Sequence, residues 1–96
     1  MFTVQLTESF SDWLADLRDL RARIAIARRL DRVRAGNLGD AKAVGEGVSE
    51  LRVDVGAGYR VYFVQRGGHV IVVLAGGDKV SQERDIRRAK QIAKEL

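Results

Sequence analysis

The chain has 96 residues, 46% hydrophobic and 31% charged, the proportions of a small folded domain (1–96) and not of a disordered segment. A domain of this length buries about 60–68% of its unfolded surface, which excludes a multidomain enzyme or a long repeat array. Net charge is +4, from 17 basic and 13 acidic residues, and there is no cysteine, so disulfides and thiolate metal sites are excluded.

Phe2, Val4 and Leu6 alternate with Thr3 and Gln5, the pattern of a half-buried strand. Thr7 follows as an N-cap, with Glu8 in the first helical turn. Phe10, Trp13, Leu14, Leu17 and Leu20 then recur at helical spacing. A second helical stretch runs from Arg21 to Ala35 with Ile26, Leu30 and Val33 on one stripe, and Gly36-Asn37 closes it. The two stretches read as a helical hairpin, broken near Asp19 by a kink or a short turn. Residues 36–47, rich in glycine, read as a loop.

Three strand-like runs follow: Ser49–Val55, Tyr59–Gln65 and Val70–Leu74. Gly56-Ala57-Gly58 and Gly67-Gly68 are hairpin-sized connectors, and Gly76-Gly77-Asp78 ends the last strand. Ser81 is the expected N-cap of a final helix, Gln82–Lys94, with Ile86, Ala89, Ile92 and Ala93 as its apolar stripe. The order is β-α-α-β-β-β-α. The expected class is α+β: an antiparallel sheet with an N-terminal helical hairpin and a C-terminal helix.

Connector length sets sheet parity. The first connector pairs Val55 with Tyr59, Asp54 with Arg60, and Arg52 with Tyr62. The second pairs Arg66 with His69, Val64 with Ile71, and Tyr62 with Val73. One face is then wholly apolar (Leu51, Val53, Val55, Tyr59, Val61, Phe63, Val70, Val72, Leu74) and packs on the N-terminal helices. The other face is mixed: Glu50, Arg52, Asp54, Arg60, Tyr62, Val64, Ile71, Val73 and Ala75. On it, Asp54 and Arg60 form either a solvated cross-strand pair or part of a concave surface with Arg52 and Tyr62, fit for a phosphate and a base. Val64, Ile71 and Val73 need cover, from the final helix or from a partner.

No metal constellation is present, since one His and no Cys cannot complete a zinc site without matching carboxylates. His69 reads as a solvated turn residue. Gly76-Gly77-Asp78-Lys79 lacks P-loop spacing and reads as a turn, or as a way to bring Lys79 to a phosphate near a helix start. The charge is uneven. Residues 18–34 hold seven arginines and two aspartates, a local +5, while the rest of the chain carries −1. That run is either a salt-bridged, solvated face or a grip on nucleic acid or an acidic partner. Arg28, Arg29, Arg32 and Lys42 are the candidates for gripping RNA or a partner. No apolar run approaches 18 residues and Met1 leads directly into a strand pattern, so neither a transmembrane helix nor a signal peptide is expected, and the cytoplasm is the expected location.

Asp12-Trp13-Leu14, Gly36-Asn37-Leu38-Gly39-Asp40, Gly45-Glu46-Gly47-Val48, Glu50-Leu51-Arg52, Gly58-Tyr59-Arg60-Val61-Tyr62-Phe63, and Gly77-Asp78-Lys79 with Gln82, Asp85-Ile86 and Ala89 stand in this order along nearly the whole chain. Together they resemble the HigB-like killer-protein branch of the RelE/ParE toxin superfamily. The resemblance implies the toxin of a type II toxin–antitoxin pair, held by a helix-turn-helix (HigA-like) antitoxin. It implies metal-free, cofactor-free cleavage of mRNA on the ribosome or, as in ParE members, inhibition of DNA gyrase. Carried over by residue, Arg60 matches the arginine that holds the scissile phosphate, Arg52 lies across from Tyr62 on the same face, and Lys79 belongs to the branch motif. Tyr62 is the candidate for base stacking or proton holding, and Glu50 the candidate base. Two departures stand out. Ala43 and Ala57 occupy places where the branch often has proline. The C-terminus, Ile92-Ala93-Lys94-Glu95-Leu96, lacks the Tyr or His used by several RelE and HigB nucleases.

Overall fold

The computed structural model describes residues 1–96. The elements are β1 (Thr3–Leu6), α1 (Glu8–Asp16), α2 (Leu20–Arg34), β2 (Ala41–Gly45), β3 (Val48–Val53), β4 (Tyr59–Arg66), β5 (Val70–Asp78) and α3 (Gln82–Lys94). The class is α+β. A five-stranded sheet of order β1-β5-β4-β3-β2 is antiparallel throughout except for β1, which runs parallel to β5. Helices cover both faces, α1 and α2 on one and α3 on the other. No helix is long and apolar enough to cross a membrane.

Local chemistry fixes the helix ends. Thr7 Oγ1 accepts from Phe10 N–H (3.2 Å) and donates to the Leu74 carbonyl (2.7 Å), so one hydroxyl both caps α1 and ties it to β5. The break between the helices is a short turn, because Asp19 Oδ1 accepts from Ala22 N–H and starts α2 anew. At the end of α2, Gly36 (φ +98°) donates to Val33 O and Asn37 donates to Arg32 O. That is the left-handed glycine stop, with both terminal carbonyls satisfied. Ser81 does not cap α3: its hydroxyl bonds to Asp78 and Asp85 instead.

The sequence reading needs four corrections in the sheet. First, the segment 36–47 is not all loop. Ala41–Gly45 forms the edge strand β2, joined to β3 through Glu46-Gly47, both at positive φ (55° and 80°). Second, the β3–β4 register is Val53↔Tyr59, Arg52↔Arg60 and Glu50↔Tyr62, two residues from the expected pairing. The connector is five residues, not three, and because both are odd the faces of β3 and β4 are as expected. Third, the β4–β5 turn spans Gly67–His69, so Gln65 pairs with Ile71 and Phe63 with Val73. This single-residue slip inverts β5. Ile71 and Val73 face the N-terminal helices, while Val72 and Leu74 face α3. Fourth, Gly76-Gly77-Asp78 lies within β5, which continues to Asp78. A bulge at Leu74 shifts the ladder, after which Tyr62 faces Ala75 and Arg60 faces Gly77.

Two cores result. Phe10, Ile26, Leu30, Leu51, Val61, Phe63, Ile71 and Val73 pack between the sheet and α1/α2. Val48, Tyr62, Val64, Val72, Leu74, Ala75 and Ala89 pack between the sheet and α3. The final helix, not a partner, therefore covers Val64. Truncating a residue such as Phe10, fully buried, to alanine is expected to cost about 3–5 kcal/mol.

Candidate functional site

The α3-facing side of β3 and β4 gathers four of the expected residues. Cross-strand pairing puts Lys42, Glu50, Tyr62 and Ala75 in one row of the sheet, and Arg52, Arg60 and Gly77 in the next. Glu50 is the hub. Its side chain is only 2% exposed. Its Oε2 lies 3.2 Å from Arg60 Nε and 3.9 Å from Arg52 Nε, and its Oε1 accepts from Gln82 Nε2 of α3 at 2.9 Å. A buried carboxylate is costly unless paired and hydrogen-bonded, and here it is both.

The two arginines differ in freedom. Arg60 is nearly buried; its Nη1 donates to its neighbour's carbonyl, Tyr59 O, at 3.2 Å. Its Nε–H has no aligned acceptor, so charge and not a closed hydrogen bond holds it to Glu50. Arg52 is half-exposed and bridges Glu50 to Asp40, whose Oδ1 is 3.2 Å from Nη2. Lys79 is exposed, and its stem shares a floor with Arg60: a Cβ at Gly58 would sit 3.6 Å from Lys79 Cβ and 3.9 Å from Arg60 Nη1. Gly58 offers no side chain between the Lys79 stem and the Arg60 guanidinium. Three cations thus border one patch, with Lys42 exposed on the same face.

Two expected roles do not fit these positions. Tyr62 is fully buried in the α3 core, so its ring cannot stack on a nucleic-acid base. Its hydroxyl has no partner, and burial first, then Glu50 and Asp85, push the phenol well above its usual range, so it stays protonated. Glu50 is sealed from solvent, flanked by two guanidiniums and hydrogen-bonded to Gln82, so a ribose hydroxyl cannot reach it as a base. The Asp54–Arg60 pair is absent as well. Arg60 faces Arg52, and Asp54 lies exposed in the β3–β4 connector.

Arg28, Arg29 and Arg32 stand apart, on the opposite side of the sheet. They line an open furrow of about 560 Å3 between α2 and the end of β3, with Ala25, Val53 and Val55 as its apolar floor. Arg29 is not free to grip a partner. Its guanidinium donates to Arg52 O (2.5 Å), Leu38 O (3.0 Å) and Asp40 O (3.4 Å), fastening the segment before β2 onto β3. Burial, and secondarily Arg32, pull its pKa below the usual arginine range against the opposing effect of Asp40. In α2 only Arg34 has a carboxylate within 4.0 Å, namely Asp31. The face is solvated, as one reading expected, but it carries a single ion pair.

Sequence reasoning gave Gln82 no role, though it is the α3 contact that fixes Glu50. It passed over Asp40 in the same way, the second carboxylate of Arg52. Only their places within the segments that carry the family resemblance marked them.

The family model for phage-derived Gp49-like proteins (DUF891) matches residues 12–96. The chain belongs to the Gp49-like family. A Haemophilus influenzae protein, described only as uncharacterized, is 45% identical over 93 residues, 97% of this chain and 94% of the relative. The Gp49-like family is a type II toxin family of the RelE/HigB-like kind, and membership implies a cognate antitoxin as the general partner. The matched span, 12–96, contains every residue of the cation patch.

Proposed function

We propose that this Gp49-like protein is the toxin of a type II toxin–antitoxin pair, of the HigB-like branch, and that it acts in the cytoplasm by cutting mRNA on the ribosome until a helix-turn-helix antitoxin neutralises it. One observation carries the reading: Arg60 and Arg52 share a single buried carboxylate, with Lys79 alongside Arg60 over Gly58. Fixed cations aimed at one spot are what a phosphoryl transition state requires.

In this reading the ribose 2′-oxygen attacks its own 3′-phosphate in line. The O2′–P bond forms as the hydroxyl proton passes to solvent water, the P–O5′ bond breaks, and the products are a 2′,3′-cyclic phosphate and a 5′-hydroxyl. Arg60 and Arg52 offset the charge that builds on the non-bridging oxygens. Lys79 gives the leaving O5′ its proton. Arginine stays protonated and takes no part as a base. The α2 furrow, where Arg28, Arg29 and Arg32 outnumber Asp31 and Asp54, suits anionic ribosomal RNA or an acidic antitoxin. The test is mRNA cleavage on programmed ribosomes by wild type and Arg60→Ala; undiminished cutting by the variant overturns the assignment.

The second reading, a ParE-like gyrase inhibitor or a catalytically silent toxin fold, has one observation in its favour. Glu50 and Tyr62, the two groups best suited to move a proton, are both buried. Inhibition of supercoiling without mRNA cuts is the result that selects it.

A further inference from the structure

We infer that Glu50 is a positioning residue for Arg60 and Arg52, and that Gln82 of α3 sets Glu50. The inference rests on the proposed phosphate site but assigns Glu50 a role other than proton transfer.

Four observations converge. Glu50 is 2% exposed and sits in the sheet's interior row between Lys42 and Tyr62, where a carboxylate survives only if it is paired. It contacts the Nε atoms of both arginines, the inner nitrogen of each guanidinium, and leaves the outer nitrogens to others. Arg52 Nη2 goes to Asp40, and Arg60 Nη1 goes to Tyr59 O. Arg60 Nη2 has no protein partner and is the donor left for a phosphate. Finally, Gln82 donates to the Glu50 oxygen that faces away from the arginines. An amide donor there fixes the carboxylate's rotation without adding charge, so the other oxygen stays turned toward the guanidiniums.

The arrangement has a consequence for α3. Gln82 stands at its first residue, and Ser81 just before it is tied to Asp78 at the end of β5. The start of the final helix is therefore coupled to the aim of Arg60. A helix that loosens there releases Gln82 first, then Glu50, then the guanidinium.

Two readouts test this. In 15N NMR of the Arg Nε–H groups, wild type should show Arg60 as one sharp, exchange-protected resonance. Glu50→Ala should broaden or lose it, and Gln82→Ala should shift it. In the cleavage assay Glu50→Gln, which keeps the shape but removes the charge that holds both guanidiniums, should lower kcat about tenfold or more and yet keep the acid limb of the pH profile. A general base removed in this way typically costs 10²–10⁴-fold and takes the limb with it. Glu50→Ala should lose about 10²-fold in kcat, and Gln82→Ala should add nothing in that background, because the two act as a unit. An unchanged Arg60 resonance in Glu50→Ala overturns the inference whatever cleavage reads. If Glu50→Ala unfolds, Glu50→Gln carries the test: a lost acid limb overturns the inference. A positioned Arg60 that collapses in Glu50→Ala, in a protein that cuts no mRNA, upholds the inference and overturns the nuclease reading instead.

Discussion

The molecule uses arginine in two ways, on opposite sides of one sheet. On the α3 side, Arg52 and Arg60 are few, partly buried and both leaned against Glu50. On the α2 side, Arg21, Arg23, Arg28 and Arg32 are exposed and have no carboxylate within 4.0 Å. A guanidinium held by its own protein has a fixed aim and little net charge to offer. A guanidinium without a partner has loose aim and its full charge. The first suits chemistry at one phosphate; the second suits the capture of an extended anionic surface.

Substitutions can break this division. Arg60→Ala should cause the largest loss, about 10²–10³-fold in kcat with KM little altered, as expected when one preorganised donor is removed. Equal losses in kcat and KM would blur the two roles. The next largest effect is on stability. Arg29→Ala removes three charged hydrogen bonds to backbone carbonyls and should lower unfolding free energy by about 2–4 kcal/mol, while its neighbour Arg28→Ala stays within about 0.5 kcal/mol. Urea denaturation of the two variants compares them directly. Reversing Arg21, Arg28 and Arg32 to Glu together should raise KM, or weaken an acidic partner, about 10–30-fold at low salt, leaving kcat intact, because exposed pairs contribute up to about 1 kcal/mol each and are screened. Titration at two ionic strengths reads it, and an unchanged affinity removes the furrow from the binding surface.

The smallest effect concerns Tyr62. Its hydroxyl is buried without a partner, so Tyr62→Phe should leave stability at neutral pH equal or higher by about 1 kcal/mol. The sign with pH follows from its raised pKa. In the unfolded chain the phenol loses its proton above about pH 10, while in the folded protein it keeps it. The unfolded state then binds fewer protons, so stability contributed by this group is full below about pH 10 and falls as pH rises beyond it. Thermal melts of wild type and Tyr62→Phe should diverge there, with the variant falling less steeply.

How far the sequence revealed this depends on the element. Helix α3 matches its expected bounds because four apolar residues at helical spacing lie between a polar start and the chain's end. Strand β2 escaped notice because Ala-Lys-Ala-Val-Gly has little β preference and its turn is Glu-Gly, without the usual Asn or Asp. The faces of β5 were inverted for a different reason. Val70 to Leu74 is apolar on both sides, so nothing in its pattern reveals parity, and one more residue in the turn reverses it. Arg52 and Arg60 share one face, as expected, because an odd connector keeps their faces matched at three residues or five, although their direct pairing follows only from the longer one. The sealing of Glu50 was not legible. A charged residue in a strand reads as solvated until something lies over it, and the cover comes from Gln82, 32 residues away in sequence.

The bulge at Leu74 works as a phase shift between two registers of the same hairpin. Nearer the turn, Phe63 meets Val73; beyond the inserted residue, Arg60 meets Gly77. Had the first phase continued, Arg60 would have met Gly76, the glycine whose missing side chain makes room for the Trp13 ring of α1. Instead it meets the glycine that lies beneath Asp85 of α3. One extra residue in β5 thus assigns Gly76 to one helix layer and Gly77 to the other, while β4 itself keeps the arginine on the α3 side. Deleting it would leave both strands as strands and yet act on the layers as a frameshift acts on a reading frame, with every position past it assigned to the wrong neighbour.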